Sequence, residues 1–149
     1  LDLAIMNHGG LRAPLPSGPI TTAKIYELMP FDNEVVILKF PSNKLNELGN
    51  LIATKGGDPI WMKDGSYLKI VDTIGFFTRF TQQDTVTIIT SDYLANGGDN
   101  YNVLAESHSR VSTTMLLREV FLQGFAKSSK QEPLKSELIG IVQYAEISD

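Results

Sequence analysis

Apolar residues along the chain fall into short runs, and the spacing inside each run predicts its element. Leu3-Ala4-Ile5-Met6 is continuously apolar, as a buried strand is. Ile25, Leu28 and Met29 recur at i, i+3 and i+4 and form the buried stripe of a helix, with Thr21 or Thr22 as its cap and Pro30 as its stop. Residues 35–40 are β-branched and apolar, which predicts a strand. Ser42 is placed to cap a second helix, with Leu45, Leu48, Leu51 and Ile52 as its stripe and Gly56-Gly57 closing it. Asp64-Gly65, set between Trp61-Met62 and Tyr67-Leu68, reads as a hairpin turn. Residues 70–74 and 85–90 read as further strands, the second with Val86, Ile88 and Ile89 as its apolar face. Thr113 or Thr114 is expected to start a last helix carrying Leu116, Leu117, Val120, Phe121 and Phe125. A polar stretch over residues 128–136 then leads to a closing strand near 138–142. Helices and strands interleave irregularly around a hairpin, which favours α+β over a doubly wound sheet.

Composition narrows the class without choosing a function. A length of 149 residues suits one domain over 1–149, and 42% hydrophobic with 20% charged residues is a globular balance. The formal net charge of −4 argues against nucleic-acid backbones as the partner, since they need a basic face. A single nucleotide remains possible, because it asks for only one or two cations. With no cysteine, disulfides, thiolate metal sites and cysteine nucleophiles are excluded. No apolar run approaches the roughly 18 residues that suggest a membrane span. The chain starts at Leu1 inside an apolar stretch, without an initiator Met, and this start reads as a cut with sequence removed upstream.

Two glycine-bearing loops follow strands, and both could hold a ligand. The first is Asn7-His8-Gly9-Gly10-Leu11-Arg12. Its glycines let backbone come close to a ligand, its N–H groups could cradle an anion, and Arg12 carries a donor fork suited to phosphate or carboxylate. The same residues also suit a plain tight turn with a surface arginine. The second loop has Tyr93 before Gly97-Gly98 and Asp99 after them. A carboxylate there could accept from a ribose diol and the ring could stack on a base; equally, Asp99 could make a local turn bond and Tyr93 could pack in the core. Phe31, just past a helix-ending proline, reads locally as a core residue.

Cleavage chemistry is harder to find. His8 and His108 stand in no metal-ligand spacing and read as loop and surface residues. There is no nucleophile elbow and no P-loop. Asp58, Asp64, Asp72 and Asp84 are scattered through turn-like sequence, and Trp61 reads as core.

Taken in order, four segments resemble the C-terminal domain of the 5'-nucleotidase family. They are Asn7-His8-Gly9-Gly10-Leu11-Arg12, then Pro19-Ile20-Thr21, then Glu27-Leu28-Met29-Pro30-Phe31, then the stretch from Ser91 to Asp99 with Gly97 and Gly98. The resemblance covers roughly Asp2 to Phe125. It implies an α+β fold in α/β/β/α layers and a nucleotide-binding role. Carried over, Asn7 and Arg12 contact the substrate, with Gly10 beside them and Arg12 on the phosphate side. Phe31 and Tyr93 sandwich the base, and Asp99 holds the ribose hydroxyls next to Gly97 and Gly98. The resemblance places two divalent metals and the hydrolysis in a separate N-terminal metallophosphoesterase domain of the same polypeptide. This piece would then contain no cofactor and be inactive alone. Members are mostly periplasmic, surface-anchored or secreted. Related activities on nucleoside diphosphate sugars (UDP-sugars among them) or 2',3'-cyclic nucleotides, or a non-enzymatic nucleoside-binding module, fit the same motifs. Three positions depart from the pattern: His8 stands where many members have a smaller or amide residue, Tyr93 replaces a common Phe, and Asn100 stands where Gly is frequent.

Overall fold

Three strands set side by side show why the core forms where it does. In β1 (Leu3–Ile5), β2 (Glu34–Pro41) and β5 (Thr85–Ser91), Leu3 and Leu38 both pair with Ile88, so the three side chains share one face of the sheet. All three are buried, together with Ile5, Val36, Phe40 and Val86 on the same alternating positions. The helix α2 (Leu45–Thr54) adds Leu45, Leu48 and Ile52 to this cluster, at the spacing the sequence predicts. Burying each such side chain contributes about 1.5–3 kcal/mol, which makes this cluster the main source of stability for the strands that carry the loops.

The structure, a computed structural model, describes residues 1–55, 60–62, 67–68, 80 and 82–128. Its other elements are α1 (Thr22–Leu28), β3 (Ile60–Met62), β4 (Tyr67–Leu68), α3 (Asp92–Ala95), β6 (Ser109–Leu116) and α4 (Leu117–Ser128). The strands form one mixed sheet in the order β4-β3-β1-β5-β2-β6. β1 runs parallel to β5 and antiparallel to β3, and β2 runs antiparallel to β5. The α+β class is therefore the observed one, with a single sheet among the described residues. By contacts the chain divides into two units, residues 1–7 with 34–114 and residues 8–33 with 115–149. The first contains the sheet and its core; the second contains α1 and α4.

Several details correct the expected elements. Ser42 opens a 3-10 turn (Ser42–Lys44), not α2, whose N-cap is Lys44 with no side-chain capping bond. Ile89 points away from the core face; Thr90 takes that face instead, and its hydroxyl donates to the Ile5 carbonyl at 2.9 Å. Thr113 and Thr114 lie inside a strand and do not start a helix. β6 went unread because its side chains are polar or exposed, so no apolar alternation marks it. Thr113 Oγ1 donates to the Val35 carbonyl at 2.7 Å, and the helix begins only at Leu117. Val120, expected on the stripe of that helix, is exposed.

Other expectations hold. Thr21 caps α1 and accepts from the Lys24 N–H at 3.3 Å, and Ile25, Leu28 and Met29 are buried. Trp61 pairs with Tyr67 across β3 and β4, as the hairpin requires. The turn at Asp64-Gly65, the stop at Gly56-Gly57, the side chain of Trp61, the strand at 70–74 and the strand at 138–142 lie outside the described residues.

Candidate functional site

Parallel pairing of β1 and β5 decides where the two glycine loops start. Both strands end on the same side of the sheet, so the residue after β1 and the residues after β5 emerge next to each other. The side chain of Asn7 is buried, and its Nδ2 donates to Asp99 Oδ2 across 92 residues of sequence. Two residues picked from separate motifs are thus in direct contact.

Asp99 is held from several directions. The Tyr93 hydroxyl donates to Asp99 Oδ1 at 2.9 Å and accepts from the Asp99 N–H at 3.2 Å. Lys55 Nζ donates to the Asp99 carbonyl and lies 4.7 Å from the centroid of the Tyr101 ring. The backbone here is unusual: Asp99 has φ 51° and Asn100 φ 64°, two left-handed residues in a row. Asp and Asn enter this region more readily than other side chains. That explains Asn100 at a position where Gly is frequent in the resembling family.

The loop opens with a helical turn. Ser91 caps α3 by accepting from the Leu94 N–H at 3.2 Å, and Leu94 and Ala95 are buried beneath it. Tyr93, on the same turn, is 44% exposed. One face of its ring rests on Gly98, where an added Cβ would come within 2.6 Å of three ring carbons. Gly97, at φ 89°, would bring a Cβ to 2.7 Å from Asn102 Oδ1. Close approach fixes both glycines, and at Gly97 the left-handed backbone adds to it.

Arg12 and Phe31 belong to the other unit. The Arg12 N–H donates to the Leu28 carbonyl at 2.8 Å, which ties the first loop to the end of α1. Its exposed guanidinium lies 5.8 Å from the centroid of the Phe31 ring. Phe31 is 47% exposed, so the local expectation of a core residue is wrong. Gly10 sits half-buried in the 3-10 turn His8–Gly10. His8 is half-buried rather than solvent-facing, and His108 is exposed as expected.

Sequence reasoning missed Arg118. Its side chain is buried at the start of α4, and Nη1 donates to the carbonyls of Met29 at 3.2 Å and Phe31 at 3.3 Å. Nη2 pairs with Asp32 Oδ1 at 2.5 Å, and the guanidinium lies 4.2 Å from the centroid of the Tyr26 ring. The hydrogen bond to Asp32 is the main cause holding the guanidinium charged, above its already high usual value. In the sequence, an arginine beginning a helix carries no signal of this role. Lys55 was missed in the same way, since a lysine at a helix end reads as a solvated charge. Among the described residues no three of His, Asp and Glu gather as metal ligands would, and no helix is long and apolar enough to cross a membrane.

The α+β unit brings a carboxylate, an amide and an exposed ring together at the ends of two parallel strands. Comparison with known proteins then specifies the kind. Residues 1–54 match the family model described as "5'-nucleotidase, C-terminal domain". The chain is similar to the trifunctional nucleotide phosphoesterase protein YfkN of Bacillus subtilis, with 25% identity over 91% of this chain and 10% of that protein. It is similar to a 5'-nucleotidase of Vibrio vulnificus, with 24% identity over 86% of this chain and 24% of the relative. Its fold matches the crystal structure of a 5'-nucleotidase precursor from Thermus thermophilus at a TM-score of 0.62, with 24% identity, over 91% of this chain and 31% of that one. The chain is thus similar to the 5'-nucleotidase C-terminal domain, in its first third by the family model and over most of its length by its relatives. It spans only about a tenth to a quarter of the length of these curated relatives.

Proposed function

We propose that this chain is the nucleotide-holding, substrate-specificity domain of a metal-dependent 5'-nucleotidase that cleaves nucleoside monophosphates. The observation that carries the reading is the Asn7–Asp99–Tyr93 contact, which joins residues of two motifs at the ends of two parallel strands. A carboxylate offers about four lone-pair sites, so Asp99 keeps acceptor capacity for a ribose diol while it holds Asn7 and Tyr93. The face of Tyr93 away from Gly98 supplies a flat surface for a base. Phe31 enters through the resemblance as the second ring, with Arg12 beside it for the phosphate. The names of the relatives, a nucleotide phosphoesterase and 5'-nucleotidases, support the same ligand class.

The work of these residues is binding and orientation. The two divalent metals that the family reading implies would supply hydrolysis from a separate domain, and the described residues gather no ligand set for them. A location outside the cytoplasm belongs to the same proposal, supported by the solved relative being described as a precursor.

The test is calorimetric titration of adenosine and AMP into the protein and into Phe31→Ala and Tyr93→Ala. Each substitution removes one ring, and stacking contributes about 1–3 kcal/mol per base, so each should weaken binding by roughly five- to 150-fold. Unchanged affinity in both variants would overturn the base-holding role.

A further inference from the structure

The Phe31 ring is about half exposed, and its residue follows a proline at the end of a short helix. Something must hold it if it is to present a face to a ligand. Arg118 reaches it from α4. The residue is 7% exposed, and its guanidinium bridges the Met29 carbonyl, the Phe31 carbonyl and the Asp32 carboxylate. Those three partners bracket Phe31 on both sides. The Leu117 N–H adds a 2.8 Å bond to the Asn33 carbonyl, so the first two residues of α4 grip the segment 29–33. A planar guanidinium presents its donors in a fixed fork, whereas a lysine ammonium carries three donors on a compact, rotating point charge.

We propose that Arg118 is a positioning residue for base recognition: by holding the backbone on either side of Phe31, it sets the orientation in which that ring meets a nucleobase. The inference rests on the reading of Phe31 as a stacking ring. A merely structural role would lower the stability of the unit without singling out Phe31. A positioning role ties the two residues together in ligand affinity.

A double-mutant cycle separates these. Adenosine affinity is measured for the protein, Arg118→Met, Phe31→Ala and the double variant, with thermal unfolding of each alongside. Arg118→Met should weaken binding about fivefold or more. In the Phe31→Ala background the same change should cost less than about twofold, because the ring it positions is gone. Equal losses in both backgrounds, or no loss in Arg118→Met, would overturn the positioning role while leaving the base-stacking reading intact. No loss in Phe31→Ala would overturn that reading itself, and this inference with it. If Arg118→Met does not fold, Arg118→Lys and Asp32→Asn enter the same cycle. The Asp32 side chain is 77% exposed, so its loss leaves the packing in place. Either variant should show a smaller loss that likewise disappears without Phe31, and a loss that persists without Phe31 would count against the proposal.

Discussion

At the scale of single residues, the hydroxyl of Tyr93 has the largest consequence. A phenylalanine there would offer the same face to a base but would leave Asp99 Oδ1 and the Asp99 N–H without this partner. The hydroxyl links the ring and the carboxylate into one rigid unit. Tyr93→Phe should therefore weaken nucleoside binding by about 0.5–1.5 kcal/mol, the usual net worth of one hydrogen bond, and leave the thermal midpoint almost unchanged. Gly98→Ala should do more than its size suggests. The new methyl would meet the Tyr93 ring, and an exposed ring can swing aside without unfolding anything. We expect an affinity loss at least as large as that of Tyr93→Phe, with a fold intact by circular dichroism. Native affinity in Gly98→Ala would show that the ring's place on Gly98 does not matter. Much of this was legible in sequence: Gly97, Gly98 and Asp99 stand out as a turn, and Asn7 as an amide after a strand. The exposure of Phe31 was not. Apolar character predicts burial on average, and the contacts of this segment with Arg118 and Arg12 leave no mark in its own sequence.

At the scale of elements, α2 and the central strands bear the load. Leu48 is fully buried against the sheet. Leu48→Ala should cost about 2–5 kcal/mol of stability, read as a lower urea midpoint. A shift under 1 kcal/mol would mean that α2 collapses readily onto the space left. The sequence showed α2, β2 and β5 clearly because each carries an apolar face of the right period. It hid β6, whose exposed serines and threonines give no period at all. It also misplaced Ile89 by one residue, because Thr90 is polar; its hydroxyl becomes acceptable in the core only through the bond to the Ile5 carbonyl. That bond is between strands and cannot be seen along one of them.

At the scale of the whole molecule, the proposed role is binding without cleavage, and the described residues gather no set of metal ligands. The purified chain should release no phosphate from AMP, with or without added Mn²⁺ or Zn²⁺. Robust metal-dependent release that co-purifies with the protein would refute the division of labour proposed above. The α+β class was readable from irregular interleaving of helices and strands. The mixed order of the sheet was not, since β1 pairs with β5 across most of the described chain and no local signal records such a partner.

That long-range pairing also sets an order in time. Asn7 and Asp99 are separated by 92 residues, and a contact of that span forms only after the intervening loop has been closed at an entropic cost. The α2 stripe and the β3–β4 hairpin are assembled from neighbours and need no such closure. The carboxylate therefore gains its amide partner only once the first strand has docked beside the fifth. In a chain emerging residue by residue, Asn7 waits for the distant Asp99, and this contact marks a late step in the folding of the unit.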